Sequence, residues 1–158
     1  MPRFISFGVL VGALCLCLMV GCGRKTPEGM PKLVPCSISI TQDNKPLEDA
    51  TVMLVSEGLT WTVGGTTDHS GVAKIYTHGT YPGAPVGNYK VVVSKQIVES
   101  VDNIEVSASV VVSGGVAHEY VAEEFRSAET TPLTLEIKGK TSESFDVGAA
   151  VDETVKPL

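Results

Sequence analysis

From Val34 onward, apolar and polar side chains alternate along the chain. Val34, Cys36, Ile38 and Ile40 are separated by Pro35, Ser37, Ser39 and Thr41. A period of two belongs to a strand with one buried face. Gln42-Asp43-Asn44-Lys45 has the composition of a turn. The pattern then predicts strands over 50–55, over 59–63 with Leu59, Trp61 and Val63 on one face, over 72–77 and over 88–94. Between the third and fourth lies Thr67-Asp68-His69-Ser70-Gly71. There the Asp68 carboxylate is expected to accept backbone N–H groups and Gly71 to take a positive φ. Leu133, Leu135 and Ile137 alternate with Thr134, Glu136 and Lys138, and Phe145 with Val147 fits a last strand. No segment has a convincing helical period. Short strands between turn signals predict an all-β, antiparallel, Ig-like β-sandwich.

Two segments lie outside that pattern. Residues 4 to 23 carry no charged side chain and follow the basic Arg3, the layout of a secretory leader. Its ending, Met19-Val20-Gly21-Cys22, resembles the lipobox of bacterial lipoproteins, with Met19 in place of the usual Leu. The resemblance implies cleavage between Gly21 and Cys22, a diacylglycerol thioether on Cys22, and acylation, such as palmitate, of the freed amine. A cysteine suits that step because its thiolate is a good nucleophile, and several acyl chains make a lasting anchor. Two other readings stay open: an uncleaved membrane-spanning helix, since about 20 apolar residues suffice, and cleavage with release. Gly8, Gly12, Gly21 and Gly23 weaken the helix, and Arg24 with Lys25 would stand on its outer side, against the usual charge bias. Residues 23 to 33 hold glycine, proline and charge, the composition of a flexible tether.

The second exception is residues 96 to 117, rich in Val and Ser. Asp102-Asn103 and Gly114-Gly115 are candidate turns. The segment reads either as a hairpin added to a sheet edge or as a long mobile loop. An exposed Val-rich edge is adhesive, so it is also a candidate contact surface.

Asn44-Lys45-Pro46-Leu47, Ala50-Thr51-Val52, Gly65-Thr66-Thr67-Asp68 and Gly71 together resemble the carboxypeptidase regulatory-like domains. Pro82-Gly83-Ala84-Pro85-Val86-Gly87-Asn88-Tyr89, continuing through Val93, is similar to small lipoproteins of planctomycete bacteria. Glu119-Tyr120 and Thr131-Pro132-Leu133 match their endings in weaker form. The resemblance covers about residues 34 to 148, apart from the 96–117 insertion. It implies a seven-stranded transthyretin-like, or prealbumin-like, sandwich and an accessory domain that is not itself catalytic. Pro46, Asp68, Gly71 and Gly87 are then turn and strand-start residues. Related adhesin domains form lysine–asparagine crosslinks, but the first strand here has no lysine on its buried face. The chain thus divides into a leader (1–21), a lipidated N-terminus and tether (22–33), a sandwich (34–148) and a C-terminal tail (149–158).

Charge narrows the partners. Loss of the leader removes Arg3 and leaves 11 basic against 18 acidic residues, a net charge of about −7 with histidine neutral. Such a domain repels nucleic acid. The expected partners are the membrane, through the lipid, and a protein or glycan. The expected location is the cell envelope, at the outer membrane or the periplasmic face of the inner one. Gly23 is not the aspartate that retains enterobacterial lipoproteins in the inner membrane.

Candidate chemistry is sparse. Cys15 and Cys17 leave with the leader and Cys22 takes lipid, so Cys36 has no disulfide partner and reads as a small apolar residue. His118-Glu119 opens like a zinc-protease HExxH motif, but Ala122 stands where the second histidine belongs. His69 and His78 flank a predicted strand. Glu119, Glu123 and Glu124 form an acidic cluster, read as a solvated face or a Ca²⁺ site, with the solvated face preferred. No metal, no cofactor and no catalytic set is expected.

Overall fold

The structure, a computed structural model, describes residues 27–100 and 115–155. The chain divides into two units, Met1–Met30 and Pro31–Leu158, of which the second is described over most of its length. In the first unit, Met30 donates its N–H to the Pro27 carbonyl across a turn. The leader, Gly21, Cys22 and the candidate turn at 102–103 lie outside the described residues. Among the described residues no helix is long and apolar enough to cross a membrane.

The second unit is all-β, with strand following strand and a single 3-10 turn at Glu123–Phe125 among the described residues. In chain order the strands are β1 (Leu33–Val34), β2 (Cys36–Gln42), β3 (Lys45–Pro46), β4 (Thr51–Val55) and β5 (Val63–Thr66). Next come β6 (Val72–Lys74), β7 (Tyr76–Thr77), β8 (Tyr81–Pro82), β9 (Ala84–Pro85) and β10 (Gly87–Ser94). The last five are β11 (Gln96–Ser100), β12 (Gly115–Glu119), β13 (Thr134–Ile137), β14 (Thr141–Asp146) and β15 (Glu153–Val155).

The alternation seen in the sequence becomes alternation of burial. In β2, Cys36, Ile38, Ile40 and Gln42 point inward while Ser37, Ser39 and Thr41 are half-buried. The turn after it is built on Asp43 and Asn44, at φ 51° and 60°. Two central residues of positive φ match the twist of a two-residue hairpin. Pro46 follows on the exposed strand β3, opposite Thr41, an edge where the missing N–H is not needed.

Two sheets share one core. In one, β2 lies between β14 and β3 and also pairs β6; the other runs β13-β10-β4-β5-β7-β8. Buried Ile38 and Ile40 from the first join Val52, Leu54, Val91 and Val93 from the second in a single apolar cluster. Each fully buried aliphatic side chain contributes about 1.5–3 kcal/mol, so this cluster dominates stability. β10 is central, paired with β4 from Lys90↔Val55 to Ser94↔Thr51 and with β13 from Gly87↔Ile137 to Lys90↔Thr134.

Three features differ from the sequence expectation. The third strand starts at Val63 rather than Leu59. Leu59 closes a reverse turn onto Ser56, and Trp61 packs edge-on against the His78 ring, centroids 6.0 Å apart. The expected 72–77 strand is broken at Ile75, which is 1% exposed. β6 pairs β2 in one sheet and β7 pairs β5 in the other. The chain crosses between sheets here, with the Ile75 N–H on the Cys36 carbonyl and its own carbonyl accepting from Gly83. Gly65 sits at that crossing, where a β-carbon would collide with the Lys74 carbonyl oxygen.

The third difference is one of direction. Among the described residues pairing is antiparallel in every ladder but one: β14 runs parallel to β2, from Thr141↔Cys36 to Asp146↔Thr41. Parallel neighbours cannot be joined by a tight hairpin, and here nearly the whole unit forms the connection. A third sheet, β11-β12-β15, and a two-stranded fourth, β1-β9, complete the ladders among the described residues. The 96–117 segment therefore begins and ends as paired strands, with Gln96↔Glu119 and Ser100↔Gly115.

Candidate functional site

The turn at 67–71 forms as its residues require. Asp68 Oδ1 accepts the N–H groups of Ser70 (2.9 Å) and Val72 (3.1 Å) and the Ser70 hydroxyl (2.6 Å). Gly71 takes φ 74°. The Ser70 hydroxyl, then the Val72 N–H, hold the Asp68 carboxyl below its ordinary value. The neighbouring His69 is exposed. His78 is exposed too and is engaged by Trp61. The structure does not gather these histidines into a site.

Cys36 is free and buried, lining a cleft of about 250 Å³ with Lys74 and Lys140. Burial pushes its thiol up to about 11. A protonated thiol is a poor nucleophile, so Cys36 serves as core. Nearby, Tyr89 is buried and its hydroxyl donates to the Pro85 carbonyl at 2.8 Å. Gly87 opens β10 two residues earlier.

The polar groups that do converge lie where the third sheet meets the core. Glu119, the last residue of β12, is fully buried. Its Oε1 accepts the Lys95 N–H at 2.7 Å and the Val121 N–H at 3.3 Å, while Oε2 has no hydrogen-bond partner. Lys95 lies between β10 and β11, so this carboxylate clasps the chain on both sides of the junction. Tyr120 follows, with its N–H on the Lys95 carbonyl and its carbonyl accepting from Gln42 Nε2 (2.8 Å) and the Val151 N–H (3.3 Å). The Asp43 N–H bonds the Gly148 carbonyl, and Asp43 Oδ2 accepts the Ala150 N–H at 3.1 Å. The end of β2 is thereby stitched to both segments.

Around this seam run two polar side-chain contacts. His118 Nδ1 lies 2.7 Å from Asp152, and Arg126 donates to Glu153 at 2.6 Å. Arg126 Nε is buried without a partner. A buried polar atom left unpaired costs about 1–3 kcal/mol. Two such atoms, Glu119 Oε2 and Arg126 Nε, lie in this region.

The acidic cluster expected at Glu119, Glu123 and Glu124 is therefore divided. Glu119 faces the interior, whereas Glu123 and Glu124 are exposed on the 3-10 turn. Among the described residues no group of three or more His, Cys, Asp or Glu side chains could hold a metal ion. His118 and Glu119 are on a strand, where successive side chains take opposite faces, so they do not share the helical face of a HExxH site. Sequence reading missed the burial of Glu119. The signal was present as period two: Ala117, Glu119 and Val121 fall on one face, and Val121 is fully buried.

A surface concavity of about 480 Å³ lies over the sheet of β4, β10 and β13 and is lined by Val55, Glu57, Lys90 and Glu136 among others. It mixes apolar, hydroxyl-bearing and charged side chains. Comparison with family models, with curated proteins and with solved structures found no match for this chain.

Proposed function

We propose that this chain is a lipid-anchored protein of the bacterial cell envelope whose prealbumin-like, seven-stranded sandwich is a non-catalytic binding or accessory domain. The observation that carries the reading is the position of Cys22. It ends a lipobox-like sequence and precedes the compact unit that begins at Pro31 by nine residues. An acyl-cysteine there leaves the strands outside the anchor, on a tether of at most about 30 Å at about 3.3 Å per extended residue. Two sheets with one core support the sandwich assignment. So does the Tyr89–Pro85 bond, which resembles the tyrosine corner of sandwich domains. The protonated Cys36 thiol and the dispersed histidines support a binding role over a catalytic one. Partition between detergent and aqueous phases tests the anchor. The wild-type chain should enter the detergent phase after processing, and Cys22→Ser should not yield that processed, lipid-bearing form. Equal partition and identical N-termini for both would refute it.

A second reading, a self-associating structural component of the envelope, is favoured by β11. Among the described residues it is an edge strand, on which the consecutive residues Ile97 and Val98 are 45% and 64% exposed. Apolar groups on both faces of an open edge favour pairing with another chain. Ile97→Lys with Val98→Lys should remove any concentration-dependent association seen by sedimentation.

A further inference from the structure

We propose that the β12 edge holding β15 is an exchangeable strand-binding site, and that the C-terminal strand of a second copy of this chain can occupy it. The inference does not rest on the lipid anchor, and it concerns the opposite side of β12 from β11, so its failure leaves both readings above standing.

Within one chain the site is already filled. Glu153–Val155 pairs antiparallel with β12 through Glu119↔Glu153, His118↔Thr154 and Ala117↔Val155, and Val151 extends the contact to Tyr120. The ladder is short, and Asp152, Glu153 and Thr154 are exposed. Little apolar burial holds them. What gives the pairing its selectivity is a pair of side-chain contacts: the His118 ring meets the Asp152 carboxylate, and Arg126 forms an ion pair with Glu153. The second contact has a further effect. Residues directly opposite in an antiparallel pair share a face, and like charges there repel. Glu119 and Glu153 are such a pair. Glu119 is turned to the Lys95 and Val121 amides and Glu153 to Arg126. The site thus reads an extended acidic segment in a fixed register.

The segment that leads into β15 can reroute. Val147 is buried and anchors the end of β14. Gly148 then takes φ 71°, and Ala149 and Ala150 are exposed. A short element with few apolar contacts opens at low cost, and the Asp43 bonds to Gly148 and Ala150 must shift as it does so. Exchanging it between identical chains recreates the same contacts and adds none that must be newly evolved.

Charge reversal in complementary copies tests this with the full chain in mild detergent. Arg126→Glu and Glu153→Arg each set like charges against each other within a chain. In a mixture, the reversed acidic site of the R126E copy can take the reversed basic tail of the E153R copy. The unaltered Arg126 of the E153R copy then takes the unaltered Glu153 tail of the R126E copy. Sedimentation should show monomers for each variant alone and a 1:1 dimer for the mixture, weakening at least tenfold between low and high salt. A mixture that remains monomeric would overturn the proposal. Dimers of equal strength in each variant alone would also overturn it and assign association to β11. Should either variant not fold, a chain ending at Ala149 can be titrated with a labelled peptide of residues 150–155. Saturable binding, lost when the peptide carries Glu153→Lys, supports the site, and no binding of the unaltered peptide overturns it.

Discussion

In β2, β4 and β10, each alternate side chain is buried among apolar neighbours; in β11, the consecutive residues Ile97 and Val98 are both largely exposed. The third sheet has backbone ladders as regular as those of the first two. It is held to the rest by hydrogen bonds of Glu119, Tyr120 and Gln42 and by the Arg126–Glu153 contact, while His118–Asp152 lies within the sheet itself, between β12 and the chain leading into β15. Strand geometry alone therefore does not report how firmly a sheet is fixed. Exposed ion pairs contribute about 0–1 kcal/mol each, whereas one core aliphatic side chain contributes more than both together.

The largest expected effect tests that contrast directly. Ile38→Ala, at a fully buried position in β2, should destabilise the unit by about 2–5 kcal/mol in denaturant unfolding. Ile97→Ala, on the exposed edge, should stay within about 0.5 kcal/mol. Equal losses would erase the distinction between the sheets.

Next in size is Gly65→Ala. The new β-carbon collides with the Lys74 carbonyl, backbone that cannot rotate away, so a loss of about 1–3 kcal/mol is expected. An unchanged denaturation midpoint would show that the crossing between sheets is looser than described.

Glu119→Ala should cost about 1–3 kcal/mol by orphaning the Lys95 and Val121 amides. Hydrogen exchange at Lys95, Val121 and Tyr120 should accelerate, while exchange in β4 and β10 stays slow. Glu119→Gln keeps one acceptor oxygen and should restore most of the protection. If exchange accelerated equally across the core, the seam would not be a separate unit.

The smallest effect concerns the 67–71 turn. The Asp68 carboxyl is held below its ordinary 3.8, so its folded pKa is lower than its unfolded one. Its contribution is complete well above 3.8 and is lost as pH falls through the lower folded value. Acid titration should therefore show a slightly shallower loss of stability for Asp68→Ala than for the wild type below about pH 4. Identical acid slopes would remove Asp68 from the account.

These regions also differ in how openly the sequence describes them. Val34 to Thr41, Ala50 to Val55 and Asn88 to Ser94 alternate cleanly, because one face meets an apolar core and the other meets water. The 67–71 turn was equally legible, since Asp68 and Gly71 each have a local backbone role. Ile75 was not: an apolar residue continues a strand pattern whether or not the chain changes sheets beneath it. The parallel pairing of β14 with β2 joins distant parts of the chain, and no local pattern encodes it. Glu119 was obscured for a different reason. A glutamate beside Glu123 and Glu124 looks solvated, and its burial depends on amides supplied by Lys95 and Val121. The strand at Glu153–Val155 has an acidic, unpatterned sequence that resembles a tail, and its ladder with the distant β12, together with the His118 and Arg126 contacts, makes it a strand.

Intact mass spectrometry of the membrane-extracted chain tests the proposed anchor most directly. The expected protein begins at Cys22 and carries the mass of attached acyl chains, with neither feature in Cys22→Ser. A wild-type chain that retains the leader and bears no added lipid mass would contradict it.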